Sequence, residues 1–401
     1  MTEAGDRAAL SAAYVQATSA AGNSDPNPSV GAIITDAHGN TVAGGYTQRA
    51  GFAHAERHAL AQLEQQDLSD YTMYVTLEPC CHYGRTPPCV DAIVERKLRR
   101  VVIAERDFAA EVQGRSVELL RNQGIDVTEW NAKDFRREKW FTTGPFFFAR
   151  KHRRPRILLK WAQTADGSIA PLRGKSGPIS GSDAALLTAI LRFWCKLTVA
   201  SPGTVLVDSP RLTVRTAGEL RDLSESGLSA FAWELLRRQY QLAREPRDTE
   251  TLTQKIRPPE SLFLLPDSVY SQLAGPPTGQ LRSTQGLRTR TIPRSDWQDN
   301  FTATWNLVLA EILAEGFNSL LLEAGPTFSD LVITHNYADA IAVYRSHTKR
   351  DQVIWGSAGR GNQVSTLLAV ADRPDLPGYT LIEYARLDAD DFLLYARNDN
   401  F

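Results

Sequence analysis

Cysteine is scarce in this chain, with four in 401 residues, too few for a disulfide framework. Neither sign of charge is in excess: 45 Lys plus Arg face 46 Asp plus Glu, for a net charge of -1. That balance offers no broad electrostatic attraction to nucleic acid or to an anionic membrane surface. No apolar run reaches the ~18 residues of a membrane-spanning helix. The start, MTEAGDRAAL, lacks the basic and apolar stretches of a secretory signal. These absences lead to the expectation of a cytoplasmic protein that meets neither membrane nor nucleic acid. What is present suits a folded enzyme: 42% hydrophobic and 23% charged residues allow a real core. At about 150 residues per domain, the length suggests two or three domains.

Apolar strands alternate with amphipathic helices over the first 150 residues. Periodicity predicts a helix at 6–21 and strands at 30–35 and 41–46 around the turn residues His38-Gly39-Asn40. It then predicts a helix from His54 to about Gln66, a buried strand at 73–77 and a helix starting near Cys89. A strand at 99–104, a helix at 114–123, a strand at 125–130 and a helix at 132–142 complete the first part. The spacing implies βαβ crossovers and a mainly parallel sheet. The basic run Lys151-His152-Arg153-Arg154-Pro155-Arg156 reads as a solvated linker, dividing the chain into domains at 1–148 and 153–401. A second α/β pattern follows, with strands at 156–162, 197–200, 204–208, 261–266, 319–325 and 340–346. Helices are expected at 182–195, 302–315 and 327–334, a charged, helix-leaning insertion at 216–257, and an antiparallel edge hairpin at 379–397.

Three of the four cysteines, Cys80, Cys81 and Cys89, crowd into ten residues, which suggests metal rather than a disulfide. His54-Ala55-Glu56 opens a helix, and Pro79-Cys80 closes a strand. His54, Cys80 and Cys89 supply the three ligands of a catalytic zinc with one open position, where bound water titrates at roughly pH 7. Glu56 sits two residues after the histidine, near the metal without having to bind it, which suits a proton shuttle. Both thiols are placed at or beside helix N-termini, where thiolate is favoured. A His-x-Glu followed by Pro-Cys and a second Cys is the arrangement of zinc nucleobase deaminases. The common versions close with Cys-x-x-Cys, whereas here eight residues intervene. That longer loop brings His82 and Arg85 to the mouth of the site, where a phosphate-bearing substrate needs donors. A structural zinc would instead need a fourth side chain, for which His58 is the candidate. Cys195, in LRFWCKL, reads as a core residue.

The runs Pro26-Asn27-Pro28-Ser29-Val30-Gly31, Gln48-Arg49-Ala50-Gly51, His54-Ala55-Glu56 and Thr76-Leu77-Glu78-Pro79-Cys80-Cys81-His82-Tyr83-Gly84-Arg85-Thr86-Pro87-Pro88-Cys89 are long and specific. They resemble the bifunctional riboflavin-biosynthesis family of diaminohydroxyphosphoribosylaminopyrimidine deaminase / 5-amino-6-(5-phosphoribosylamino)uracil reductase. The resemblance implies a cytidine-deaminase-like three-layer α/β domain followed by a dihydrofolate-reductase-like α/β domain. It also implies zinc on His54, Cys80 and Cys89, Glu56 as proton carrier, and Asn27, His82 and Arg85 around the substrate. Cys81 stands where the family usually has serine and is not expected to be a ligand.

The resemblance continues more faintly through Leu159–Gly167, Thr204–Arg215 and Leu322–Thr327. By it, NADPH would meet Ala162, Thr204, Asp208 and Gly325. Ser176, Arg192, Leu212, Arg215 and Glu323 would face a ribosyl phosphate, with the two arginines on the phosphate. The chain departs from the family at Ser209, at Pro178-Ile179-Ser180, in the 216–257 insertion and at Ser346-His347-Thr348-Lys349-Arg350. The leading expectation is therefore a cytoplasmic enzyme, a dimer or tetramer, that deaminates a ribosylaminopyrimidine phosphate and then reduces its ribosyl group. The competing expectation keeps the deaminase but makes the second domain non-catalytic or repurposed, in a riboflavin-related pathway such as a toxoflavin-like one.

Overall fold

The structure, a computed structural model, describes residues 2–107, 114–165, 167, 179–201, 204, 212, 220, 222–244, 259–266, 287–292, 300–347 and 376–400. They fall into two compact units, one running through Lys151 and the other starting at His152.

The first unit runs α1 (Glu3–Ala20), β1 (Gly31–Thr35), β2 (Thr41–Tyr46), α2 (Ala55–Leu60), β3 (Thr72–Val75), α3 (Cys89–Glu95), β4 (Arg100–Ile103), α4 (Arg115–Asn122), β5 (Asp126–Glu129), α5 (Arg136–Phe141) and α6 (Gly144–His152). Its sheet has the order β2-β1-β3-β4-β5. The sheet is half parallel, not mainly parallel as expected. β1 pairs antiparallel with β2 and with β3, while β3–β4 and β4–β5 are parallel. The reason is local. Asp36 accepts the N–H groups of His38 and Asn40, both at 2.9 Å, and closes a turn too short for a crossover. Parallel pairing appears only where α3 and α4 provide the return path.

Two further expectations change. α2 stops at Leu60 instead of Gln66, because the Arg96 guanidinium takes the carbonyls of Leu60 and Leu63, each at 3.0 Å. Those carbonyls would otherwise need amide donors from a continuing helix. The single helix foreseen at 132–142 is a 3-10 turn (Ala132–Phe135) followed by α5, and a separate α6 carries the chain on through Lys151 and His152. Pro145, in the first turn of α6, is preset for a helix start, so part of the supposed linker is helix.

The core between sheet and helices includes Ile34, Met73, Val75, Val101 and Ile103. Two glycines let helices approach it at backbone distance. A Cβ on Gly31 would lie 1.9 Å from the Ala13 carbonyl oxygen of α1, and one on Gly45 would lie 2.3 Å from the Ala55 oxygen of α2.

The second unit holds β6 (Arg156–Gln163), α7 (Ser182–Cys195), β7 (Leu197–Ala200), α8 (Ala230–Arg244), β8 (Glu260–Pro266), β9 (Leu287–Ile292), α9 (Phe301–Ala314), β10 (Ser319–Glu323), α10 (Pro326–Thr334), β11 (Ala340–Ser346), β12 (Tyr379–Arg386) and β13 (Asp390–Arg397). The sheet order is β12-β13-β11-β6-β10-β7-β8-β9. Pairing from β11 through β9 is parallel, and β12–β13 is the expected antiparallel hairpin at the edge. α8 falls within the helix-leaning insertion, and Cys195 is buried as expected. The core is built on Trp305, Leu159, Leu320, Leu322, Ile341 and Val343. The strand foreseen at 204–208 lies outside the described residues except for Thr204, whose backbone is helical. No described helix is long and apolar enough to cross a membrane.

Replacing Gly45 with alanine should push α2 away from β2 and lower stability by about 1–3 kcal/mol. Thermal melting checks the loss, and metal content checks whether the N-terminus of α2 has moved.

Candidate active site

The residues expected to bind metal come from three different segments. His54 is the N-cap of α2, Cys89 is the first residue of α3, and Cys80 lies on the irregular stretch after β3. The structure brings them together. His54 Nδ1 lies 3.5 Å from the Sγ of Cys80 and 3.5 Å from that of Cys89, and all three ligand atoms fall within 4.8 Å of one another. A tetrahedral zinc with bonds of about 2.0–2.3 Å separates neighbouring ligands by roughly 3.5 Å, so the donor set fits the ion in chemistry and spacing. Cys80 sits beside the start of α3, its sulfur accepting the Cys89 N–H at 3.3 Å.

Among the described residues the cluster has no fourth member. His58 turns its Nδ1 to the Tyr46 backbone at 3.2 Å, and Cys81 packs against the core cluster. Both are therefore elsewhere, as an open fourth position requires.

The groups polarise one another strongly. The hydrogen bond from Cys89, reinforced by His54, brings the Cys80 thiol down to about 4. The same bond, with burial, raises Cys89. The Cys80 hydrogen bond raises His54. Glu56 is buried and hydrogen-bonded by the Cys89 thiol; burial, followed by the negative Cys80 sulfur, raises its carboxyl above the ordinary carboxylate range. A carboxyl that holds a proton more readily, beside the metal donors, is suited to proton transfer.

A cavity of about 250 Å³ opens onto His54 and Cys80, and Asn27, His82 and Arg85 all line it. Two contributors were missed in the sequence. Arg150, from α6, lines the same cavity; it lies between the helix expected at 132–142 and the linker run at 151–156, where no element was expected. Glu78 holds the loop that presents Cys80. Its carboxylate accepts N–H groups from Asp107 at 3.3 Å, Gly114 at 3.1 Å and Ser116 at 3.3 Å, and the Ser116 hydroxyl donates to the Pro79 carbonyl. The only sequence signal for Glu78 was its place next to Pro79-Cys80.

In the second unit, Ala162, Thr204, Gly325 and Glu323 lie at or beyond the carboxyl ends of parallel strands, where open α/β sheets bind ligands. Thr204 Oγ1 and the Gly325 N–H both meet the Ser201 hydroxyl, at 3.1 and 3.3 Å. Ser201 was not foreseen. Gly325 is the N-cap of α10, and among the described residues a Cβ added there would meet only Thr204 Oγ1, at 4.0 Å. The N-terminus of a helix in this position is the kind of place where backbone donors meet a nucleotide pyrophosphate. Arg192 does not stand free for a phosphate as expected: it forks onto the carboxylate of Glu323 at 2.5 and 2.8 Å. Burial opposes charge on Glu323, yet Arg192 holds its pKa below the usual value. Lys160, opposite Glu323 in the β6–β10 ladder, is half-buried, and desolvation lowers its pKa. Leu212 is buried with φ 44°, away from ordinary strand backbone. Ser176, Asp208 and Arg215 lie outside the described residues.

Fold and site define a class: a zinc-deaminase unit joined to a reductase-type α/β unit. Residues 4–105 match the cytidine and deoxycytidylate deaminase zinc-binding region, and residues 155–346 match the RibD C-terminal domain. The riboflavin biosynthesis protein RibD of Aquifex aeolicus is 42% identical over 48% of this chain, and the match spans 53% of that relative's length. The RibD of Buchnera aphidicola is 30% identical over 80% of this chain and 81% of its own. A solved Thermotoga maritima diaminohydroxyphosphoribosylaminopyrimidine deaminase/5-amino-6-(5-phosphoribosylamino)uracil reductase has the same fold, with a TM-score of 0.71, 24% identity, and coverage of 98% of this chain and 99% of that one. The chain belongs to the RibD family of riboflavin-biosynthesis proteins, with a deaminase zinc-binding region followed by a RibD C-terminal domain. The repurposed-domain alternative is not favoured.

Removing the three acceptor bonds of Glu78 with Glu78→Ala should cost about 2–5 kcal/mol, at roughly 1–3 kcal/mol per buried donor left unmade and partial rescue by water. Melting should show the loss, and competition with a zinc chelator should show faster metal release than from wild type.

Proposed function

We propose that this chain carries out two successive steps on one substrate. The first unit hydrolytically deaminates 2,5-diamino-6-(ribosylamino)-4(3H)-pyrimidinone 5′-phosphate, and the second reduces the ribosyl side chain of the product to ribityl with NADPH. The observation that carries the first step is the three-donor cluster of His54, Cys80 and Cys89 with buried Glu56 beside it and no fourth described ligand.

His54, Cys80 and Cys89 would hold zinc, which when bound supplies Lewis acidity and brings water into the neutral titration range. Asn27, His82 and Arg85, on the cavity wall, orient the pyrimidine and its phosphate-bearing arm. Glu56 accepts a proton from the attacking water on its carboxylate. It then donates that proton to the departing amino nitrogen, so that the exocyclic C–N bond breaks and ammonia leaves, and the proton of the new ring hydroxyl passes to the adjacent ring nitrogen to give the carbonyl. Burial favours the protonated half of this cycle and holds bulk water away from the transfer.

In the second unit, Gly325, Ser201 and Thr204 form the cradle for the cofactor phosphates, and NADPH when bound supplies the hydride. Ala162, near the end of β6, is assigned to the same cofactor side. Glu323, fixed by Arg192 and facing Lys160 across the ladder, orients the ribosyl group. Asp208 is assigned with Ala162 to the cofactor side, and Ser176, Arg215 and Leu212 to the ribosyl-phosphate side. The same reading makes the enzyme cytoplasmic and a homo-oligomer, dimer or tetramer, which sedimentation of the purified chain reads directly.

Glu56→Gln should keep one zinc per chain and lose at least a hundredfold in ammonia release, checked by metal analysis beside a coupled ammonia assay. Wild-type protein that carries zinc yet releases no ammonia from the diaminopyrimidine would refute the deaminase step. The reductase step predicts NADPH oxidation on adding the deaminated product, with Glu323→Gln slowing it by about tenfold or more.

A further inference from the structure

The deaminase cavity has more positive charge on its wall than the motif residues account for. Arg85 comes from the loop between Cys80 and Cys89, while Arg150 comes from α6, more than sixty positions later. Both are exposed, and neither has a carboxylate partner among the described residues. None of the described residues lining the cavity is acidic. Guanidinium groups usually find a carboxylate or solvent, so two that converge unpaired on one cavity mark an anion subsite. Arg150 is also held in place: its guanidinium lies 4.4 Å over the ring of Phe146, one turn earlier on α6, and Phe146 is buried. Stacking of this kind fixes the plane of the fork while leaving its N–H edges free.

We propose that Arg150 is a second anion-binding residue of the deaminase pocket, acting with Arg85 to grip the phosphate of the ribosylaminopyrimidine and so to select phosphorylated over dephosphorylated substrate. This rests on the deaminase reading of the pocket. Arg150 positions the substrate and takes no part in bond breaking, so its effect falls on KM and not on kcat. Lysine in its place keeps the charge but loses the two-pronged geometry.

The test uses the full chain loaded with zinc for kinetics and with cobalt for binding, since cobalt absorption reports a ligand arriving at the metal site of the first unit alone. For ammonia release, Arg150→Ala should raise KM for the phosphorylated diaminopyrimidine at least tenfold. It should shrink discrimination against the dephosphorylated form by a similar factor, and Arg150→Lys should recover part of both. In the cobalt protein, half-saturation by the deaminated ribosylaminopyrimidine phosphate should rise at least tenfold in Arg150→Ala, while melting temperature and metal content stay at wild-type values. Equal KM and equal half-saturation in wild type and Arg150→Ala would overturn the proposal, however active the enzyme is. An equal loss for phosphorylated and dephosphorylated ligands would also overturn it, since that is the signature of a merely structural residue. Absence of ammonia release with the phosphate selectivity of the cobalt titration intact would sink the deaminase reading and leave the subsite standing.

Discussion

The metal-binding cluster depends on holding an irregular stretch of chain still. Two of the donors, His54 and Cys89, sit at helix starts and inherit the rigidity of α2 and α3. Cys80 has no helix or strand of its own. Its position is set by Glu78, whose carboxylate collects three backbone N–H groups at the approach to α4, and by the Ser116 hydroxyl on the Pro79 carbonyl. A buried carboxylate with this many donors is costly to disturb, because each donor would be left unsatisfied away from water. The close contact of α2 with Gly45 does the corresponding work for His54 and Glu56, since any side chain there would collide with the α2 backbone.

That division of labour explains what the sequence could reveal. His54, Glu56, Cys80 and Cys89 were legible because metal and proton chemistry restrict residue type and spacing, and the same residues meet in the structure. The edge hairpin at β12–β13 and most of the second sheet were legible from alternation alone. The strand directions of the first sheet were not, because a β1–β2 hairpin and a βαβ unit have similar apolar runs and differ in the turn. The end of α2 was hidden for another reason: Arg96, more than thirty positions away, terminates it by capturing carbonyls. Glu78, Ser201 and Arg150 reach the site through partners or cavity walls brought in from other segments, among them Gly114 for Glu78, Gly325 for Ser201 and Arg85 for Arg150.

The second unit shows how a shared set of residues can be arranged otherwise than their types suggest. Arg192 and Glu323 were both assigned to the ribosyl phosphate, yet they neutralise one another in a half-buried fork. A paired arginine is a poor sole anchor for an anion, because binding must first compete with an existing charge-assisted contact. The pair is better regarded as a polar clamp that ties α7 to the end of β10, two residues before the N-cap of α10.

α6 has a practical bearing on how the chain may be divided. The boundary suggested by composition, near position 148, would cut this helix before its last turn and remove Arg150 from the half that carries the sulfurs. A separately expressed first unit should therefore extend through His152, so that the severed piece retains the stacked guanidinium along with the rest of its pocket wall.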